Sequence, residues 1–252
     1  MPRPEFSANG FAPPPLDAAR HALFLDIDGT LLELQSRHDT VVADEGLCNL
    51  LQRLAGATNG ALAIVTGRAV VDADRLLGRS APCGAGLHGQ EWRLGDQTLQ
   101  QPYDPNALDS ARTIVRRLVD GGALEACVED KGAGLALHYR HAPEHGGFVA
   151  RAVNEIASRN GLQALHGGMV SELLPRGATK GGAVLALMRE PPFAGRIPVA
   201  VGDDVIDEDT FMAANELGGV SVLVGERRAS AATHGLADVA AVRDWLNAAL
   251  ER

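Results

Sequence analysis

At 252 residues, 46% of them apolar, the chain is long enough to bury a substantial core and too apolar for a fibrous or disordered protein. A formal charge of −9 excludes a broad basic face for polyanions, although a small phosphorylated ligand needs only a locally positive pocket. Cys48, Cys83 and Cys127 are odd in number and show no CxxC spacing, which excludes a disulfide framework or zinc site and predicts small, reduced core residues.

Residues 1–20 contain Pro2, Pro4, Pro13, Pro14, Pro15 and Gly10, a composition that predicts a flexible leader. They hold no apolar signal core, and nowhere does the chain reach the 18 to 20 apolar residues that cross a bilayer. A cytoplasmic monomer acting on a small molecule, with no nucleic-acid or membrane partner, is the expectation. Folded structure is predicted from His21 onward. Ala22-Leu23-Phe24-Leu25 is an apolar run without alternation, as in a strand buried on both faces, and it ends in Asp26-Ile27-Asp28-Gly29-Thr30. Leu47, Leu50, Leu51 and Leu54 recur at helical spacing and stop at Gly56. Ala61 to Val65 is a second buried strand, breaking into Thr66-Gly67-Arg68.

From about 85 to 175 the pattern changes. Leu108, Ala111, Val115 and Leu118 mark one helix and Val149, Val153 and Ile156 another, while 124–129, 135–140, 162–166 and 169–174 read as strands. The resulting αββαββ order is an α+β unit of its own. Beyond it, Lys180 opens a helix carrying Val184, Leu187 and Met188. Pro198 to Val201 then runs into Gly202-Asp203-Asp204, and Val220 to Val224 ends at Gly225. The prediction is an α/β, Rossmann-like doubly wound parallel sheet built from 21–84 and 176–252, with 85–175 inserted as a cap.

The polar motifs follow strand ends, where such sheets bind ligands. Asp26 and Asp28, two residues apart after a strand, leave one side of an extended backbone and repel unless a cation or proton lies between them. Taken alone, DxDG also suits a turn whose Asp caps backbone amides. Thr66-Gly67-Arg68 offers a hydroxyl and free amides to a phosphate oxygen. Lys180 opposes the positive end of its helix dipole, a conflict that a nearby anion resolves. Gly202-Asp203-Asp204-Val205-Ile206-Asp207-Glu208-Asp209 is strongly acidic; Asp203, at the strand tip, is the candidate metal ligand, whereas Asp207 to Asp209 also suit a first helical turn.

DIDGT, the Thr of VTGR, Lys180 and GDDVIDED, in that order, resemble the four motifs of the haloacid dehalogenase superfamily, and the insertion resembles its C2-type cap. Gly86-Leu87-His88-Gly89-Gln90-Glu91, His138-Tyr139-Arg140 and the GDD-x-x-DED form are most similar to the trehalose-6-phosphate phosphatase family within it, where Ile206 is usually Thr. The resemblance implies a phosphatase that uses Mg²⁺ and an aspartyl-phosphate. Asp26 is then the nucleophile and Asp28 the acid and base. Thr66, Lys180, Gly67 and Arg68 hold the phosphate. Asp26, the main-chain carbonyl of Asp28 and Asp203 ligate the metal, supported by Asp204 and Asp207. In the cap, Glu129 and Lys131 share a parity, as do His138 and Arg140, and Glu172 adds a further acid. These residues also suit cross-strand ion pairs on an exposed face. The resemblance implies that they bind sugar hydroxyls; His88, after a glycine-flanked turn, suits a place in the substrate pocket or at the hinge and equally a turn-stabilising role. Another sugar phosphatase, a phosphomannomutase-like enzyme or a sugar-phosphate sensor would share the core motifs; a sensor has no need of a nucleophile or an acid.

Overall fold

The computed structural model describes residues 12–34, 42–226 and 228–251. It divides into two compact units, one formed by Met1–Leu99 with Thr179–Arg252 and the other by Gln100–Ala178.

The first unit is built on an eight-stranded sheet. In chain order its strands are β1 (His21–Leu25), β2 (Leu62–Val65), β3 (Cys83–Gly86), β4 (Glu91–Leu94), β5 (Gln97–Gln100, whose last residue falls in the second unit), β10 (Ile197–Gly202), β11 (Val220–Val224) and β12 (His234–Leu236). Their spatial order is β12-β11-β10-β1-β2-β3-β4-β5, parallel from β12 to β3 and antiparallel from β3 to β4. Alternation along β1 explains its unbroken apolar run. Leu23 and Leu25 join one buried cluster with Leu47, Leu51 and Leu54 of α1 (Glu45–Ala57) and Leu246 of α7 (Val239–Ala248). Ala22 and Phe24 point into another with Val184 and Leu187 of α5 (Lys180–Leu187), where Phe24 stacks on Phe193 with ring centroids 5.3 Å apart. Helices on both faces are what a parallel sheet requires. The sheet reverses direction of winding at β1, which lies between β2 and β10, so the crevice at the switch point opens between the carboxyl ends of β1 and β10. The remaining helices of this unit are α2 (Val70–Leu77) and α6 (Glu208–Glu216).

The second unit has the predicted αββαββ order: α3 (Pro105–Asp120), β6 (Cys127–Asp130), β7 (Leu135–His138), α4 (Gly146–Asn160), β8 (Leu162–Gly167) and β9 (Val170–Pro175). Its strands lie in the order β6-β7-β9-β8, all antiparallel. Leu135, Leu137 and Leu173 face α3 and α4 in a separate core with Leu108, Val115, Val149 and Val153. The opposite face carries Glu129, Ala136, His138, Leu165 and Glu172.

Three expectations are corrected. The boundary expected at 85 falls after Leu99, because residues 83–86 continue the parallel sheet and the Leu87–Gly89 turn folds β4 back against β3, pairing Cys83 with Leu94; the second boundary falls after Ala178 rather than 175. Residues 12–20, expected in a flexible leader, are largely exposed but anchored to the first unit at several points. Leu16 is buried in the first core cluster, Trp245 Nε1 donates to the Pro14 carbonyl at 3.0 Å, and Arg196 Nη1 donates to the carbonyls of Ala18 and Ala19 at 2.9 and 3.1 Å. Residues 1–11 lie outside the described residues. Of the cysteines, all free, only Cys83 is a buried core residue. Cys127 is exposed because β6 is the edge strand of its sheet, and Cys48 is half-buried. No described helix is long and apolar enough to cross a membrane.

Candidate active site

Asp26 directly follows β1, and its backbone amide extends the ladder by donating to the Val201 carbonyl on β10 at 3.0 Å. The chain must then turn sharply beneath the neighbouring strand end. Gly29 adopts φ +80°, and a Cβ there would lie 2.1 Å from Asp203 Oδ2, so only glycine lets the turn pass under that carboxylate. Thr30, fully buried, donates from Oγ1 to Asp203 Oδ1 at 3.3 Å.

Lys180 enters from α5, whose first turn is fixed by Thr179 Oγ1 accepting from the Gly182 amide at 2.9 Å. The ammonium, with its side chain only 4% exposed, donates to Asp26 Oδ1 at 3.0 Å and Asp207 Oδ1 at 2.6 Å. Burial disfavours that charge, but Asp207 and Asp26 more than offset it and hold the lysine pKa above its ordinary value. The other oxygen of Asp207 accepts from the amides of Asp203 and Asp204 at 3.0 and 3.1 Å. Asp207 thus serves as the anchor of the acidic loop, its oxygens already bonded to Lys180 and those two amides.

Carboxylate oxygens of Asp26, Asp203 and Asp207 lie within 4.8 Å of one another. Burial, with the neighbouring carboxylates adding to it, pushes Asp26 well above the ordinary carboxylate range and Asp203 up to about 7. One ammonium does not neutralise this cluster. All-oxygen donors with excess negative charge fit a hard divalent cation such as Mg²⁺. The pH dependence of stability follows from the sign of the Asp203 shift. Protonated Asp203 favours the fold below its unfolded value of 3.8, and that contribution is lost as pH rises to about 7. A cation restores the balance only where the carboxyl is ionised, so the Mg²⁺-induced rise in Tm is expected to be larger at pH ~8 than at pH ~5. Equal rises at both pH values would contradict this.

Asp28 is held bidentately by Arg68, with Nε to Oδ2 at 2.7 Å and Nη2 to Oδ1 at 2.6 Å. Thr66, buried at the tip of β2 beside β1, accepts the Arg68 amide at its Oγ1 at 3.2 Å. The Thr66-Gly67-Arg68 loop is braced from below by two consecutive left-handed residues, Leu87 (φ 48°) and His88 (φ 54°), whose amides donate to the carbonyls of Arg68 and Thr66 at 2.9 and 3.1 Å. The buried His88 ring packs so closely on Gly67 that a Cβ there would come within 2.6 Å of it. Non-glycine residues in that conformation carry strain that concentrates at functional sites.

Asp26, Asp28, Thr66, Gly67, Arg68, His88, Lys180, Asp203, Asp204 and Asp207 are therefore gathered by the first unit at neighbouring strand ends. Glu129, Lys131, His138 and Glu172 belong to the second unit and share the sheet face opposite its helices. Lys131 Nζ lies 2.5 Å from Glu172 Oε1 with both side chains largely buried, and His138 Nε2 lies 2.8 Å from Glu129 Oε2. Arg140 does not share their strand. β7 ends at His138, and Arg140 is exposed in the following turn, 3.5 Å from the Gly168 carbonyl. One buried group escaped the sequence reading: Thr30, whose hydroxyl donates to Asp203 and whose place inside DIDGT was a signal.

A family model described as trehalose-phosphatase matches residues 24–240. The trehalose-6-phosphate phosphatase of Escherichia coli K12 is 39% identical over 232 residues, spanning 91% of this chain and 86% of the relative. In fold, the chain is similar to the C-terminal domain of the C. albicans trehalose-6-phosphate phosphatase, with TM-score 0.80 and 20% identity over 92% of this chain and 93% of that one. A phosphatase of the haloalkanoate enzyme superfamily from Bacteroides thetaiotaomicron also matches, with TM-score 0.60 and 16% identity over 90% and 93%.

Proposed function

We propose, starting from the fact that this chain belongs to the trehalose-phosphatase family, that it hydrolyses trehalose 6-phosphate to trehalose and inorganic phosphate through an aspartyl-phosphate on Asp26. The observation that carries this reading is the buried Lys180 ammonium bridging Asp26 and Asp207 beside Asp203. An anionic carboxylate attacks an anionic phosphoryl group only where positive charge is fixed beforehand, and Lys180 supplies it without reorganising.

Asp26 forms the new bond to phosphorus as the bond to the sugar oxygen breaks. Asp28 gives its proton to that departing oxygen. It then takes a proton from the water that attacks the phosphorus of the acyl phosphate and frees Asp26. Arg68 holds both Asp28 oxygens, and the substrate phosphate competes for the same guanidinium. Thr66 and Gly67 contribute a hydroxyl and an amide to the phosphate, and His88 holds their loop in place. Asp26, Asp203 and the Asp28 main-chain carbonyl would hold Mg²⁺, with Asp204 and Asp207 supporting. The ion would offset the charge that phosphate brings to an acidic site.

We assign sugar recognition to Glu129, Lys131, Glu172 and Arg140, with His138 orienting Glu129. A sugar presents many hydroxyls and little apolar area, which calls for a dense set of charged donors and acceptors. The test is kcat/KM for trehalose 6-phosphate and for p-nitrophenyl phosphate in Glu129→Ala, Lys131→Ala and Glu172→Ala. Loss of about 1–3 kcal/mol is expected on the sugar phosphate, where hydroxyls lose partners, with a much smaller loss on the aryl ester. Because Lys131 and Glu172 pair with each other, both variants also lower stability, and the ratio between substrates separates the two effects. Equal losses on both substrates, or wild-type protein that prefers glucose 6-phosphate, would overturn the assignment.

A further inference from the structure

The peptide units of Asp203 and Asp204 are gripped from two sides. Their amides donate to Asp207 Oδ2. Their carbonyls accept from a single nitrogen of Arg228, in the loop after β11, with Nη2 2.6 Å from the Asp204 oxygen and 3.4 Å from the Asp203 oxygen. The Nη1 end of the same guanidinium pairs with Glu208 Oε1, and Glu208 Oε2 accepts the Ala231 amide at 2.6 Å. The loop after β11 is thereby tied to the first turn of α6, and both are tied to the backbone that carries Asp203.

This is more than a surface ion pair, for two reasons. A planar fork that spans carbonyls on one segment and a carboxylate on another fixes orientation in a way a flexible ammonium does not. The carbonyls it holds, that of Asp204 at 2.6 Å and that of Asp203 at 3.4 Å, belong to the backbone that carries the carboxylate facing Asp26, so losing the fork frees that segment to move Asp203 relative to the acidic cluster.

We propose that Arg228 is a positioning residue for divalent-cation binding: it sets the Asp203 backbone, and through it the Asp203 carboxylate, in the conformation that receives the ion. The proposal rests on the reading of Asp203 as a metal ligand. Its expected sign distinguishes it from plain electrostatics. Removing a positive charge near a cation site strengthens cation binding if charge alone matters, whereas loss of a partner that orients a ligand weakens it, by roughly tenfold or more.

The experiment is calorimetric titration of Mg²⁺ into the full-length wild type, Arg228→Ala, Arg228→Lys and Asp203→Asn, with the Tm of each metal-free protein measured beside it. Arg228→Ala is expected to bind Mg²⁺ about tenfold or more weakly. Arg228→Lys, which retains one donor for the Asp204 carbonyl, should lose less. A merely structural role would lower the metal-free Tm and leave the Mg²⁺ Kd unchanged. Unchanged or tighter binding in Arg228→Ala, while Asp203→Asn has lost the ion, overturns the proposal and spares the site. If Asp203→Asn binds as the wild type does, the ligand reading itself fails and the proposal with it. Should Arg228→Ala not fold, wild-type affinity in Arg228→Lys together with a lowered metal-free Tm overturns it equally.

Discussion

Asp26→Asn is expected to lose at least about a thousandfold in kcat for every phosphomonoester, roughly 4 kcal/mol of barrier reduction, while the fold stays intact. The amide is nearly isosteric and accepts a hydrogen bond from Lys180 as the carboxylate does, but it offers no nucleophilic oxygen anion to phosphorus. The stability side of the prediction is equally specific. Burial raises the Asp26 pKa, with Asp207, Asp203 and Asp28 adding to it against Lys180. A neutral group at this position relieves like-charge crowding, so the Tm of metal-free Asp26→Asn should equal or exceed that of the wild type. Phosphate release and thermal unfolding, measured on the same preparation, check both halves. Residual turnover above about a thousandth of wild type would argue against covalent catalysis at Asp26.

Lys180→Ala should fail differently, losing activity and stability together. The ammonium is the shared counter-charge of two nearly buried carboxylates, Asp26 and Asp207, whose side chains are 10% and 2% exposed. Removing it leaves both without their cation, a change that costs about 3–5 kcal/mol where a buried pair is broken. The phosphoryl group loses its fixed positive partner at the same time, for a further loss of about a hundredfold or more in kcat/KM. The sugar phosphate and the aryl ester should fall in parallel, in contrast to the variants of Glu129, Lys131 and Glu172. Urea unfolding with kinetics on both substrates makes the comparison. A stable Lys180→Ala, or one that discriminates between the substrates, would sink this account of the lysine.

Local patterns carried much of this molecule. The apolar runs at 22–25, 61–65 and 198–201, and the run at 220–224 that only Ser221 interrupts, reveal strands buried on both faces, because burial on two sides removes the polar alternation that a one-faced strand keeps. Chemistry concentrated at strand ends, in DIDGT, TGR and GDDVIDED, is equally legible, since the switch point of a doubly wound sheet is where such loops meet. What pairing partners decide was not legible. Residues 91–100 are polar enough to read as part of the insertion, yet they add strands to the core sheet, because edge pairing depends on available backbone groups rather than on side-chain pattern. Pro13 to Leu16 look like a flexible leader by composition, but Leu16 fills a gap in a cluster assembled from β1, β10, α1 and α7, segments far apart in the chain. Arg228 stands outside every motif, and no spacing rule links it to Asp203 and Asp204. Its role exists only because β10 and β11 are neighbours, which brings the loop after one to the backbone after the other. The sequence by itself determined which residue types could do the chemistry and that they sit at strand tips; the tertiary structure alone decided which of them share oxygens, amides and counter-charges, because those distances are set by strand order and not by distance along the chain.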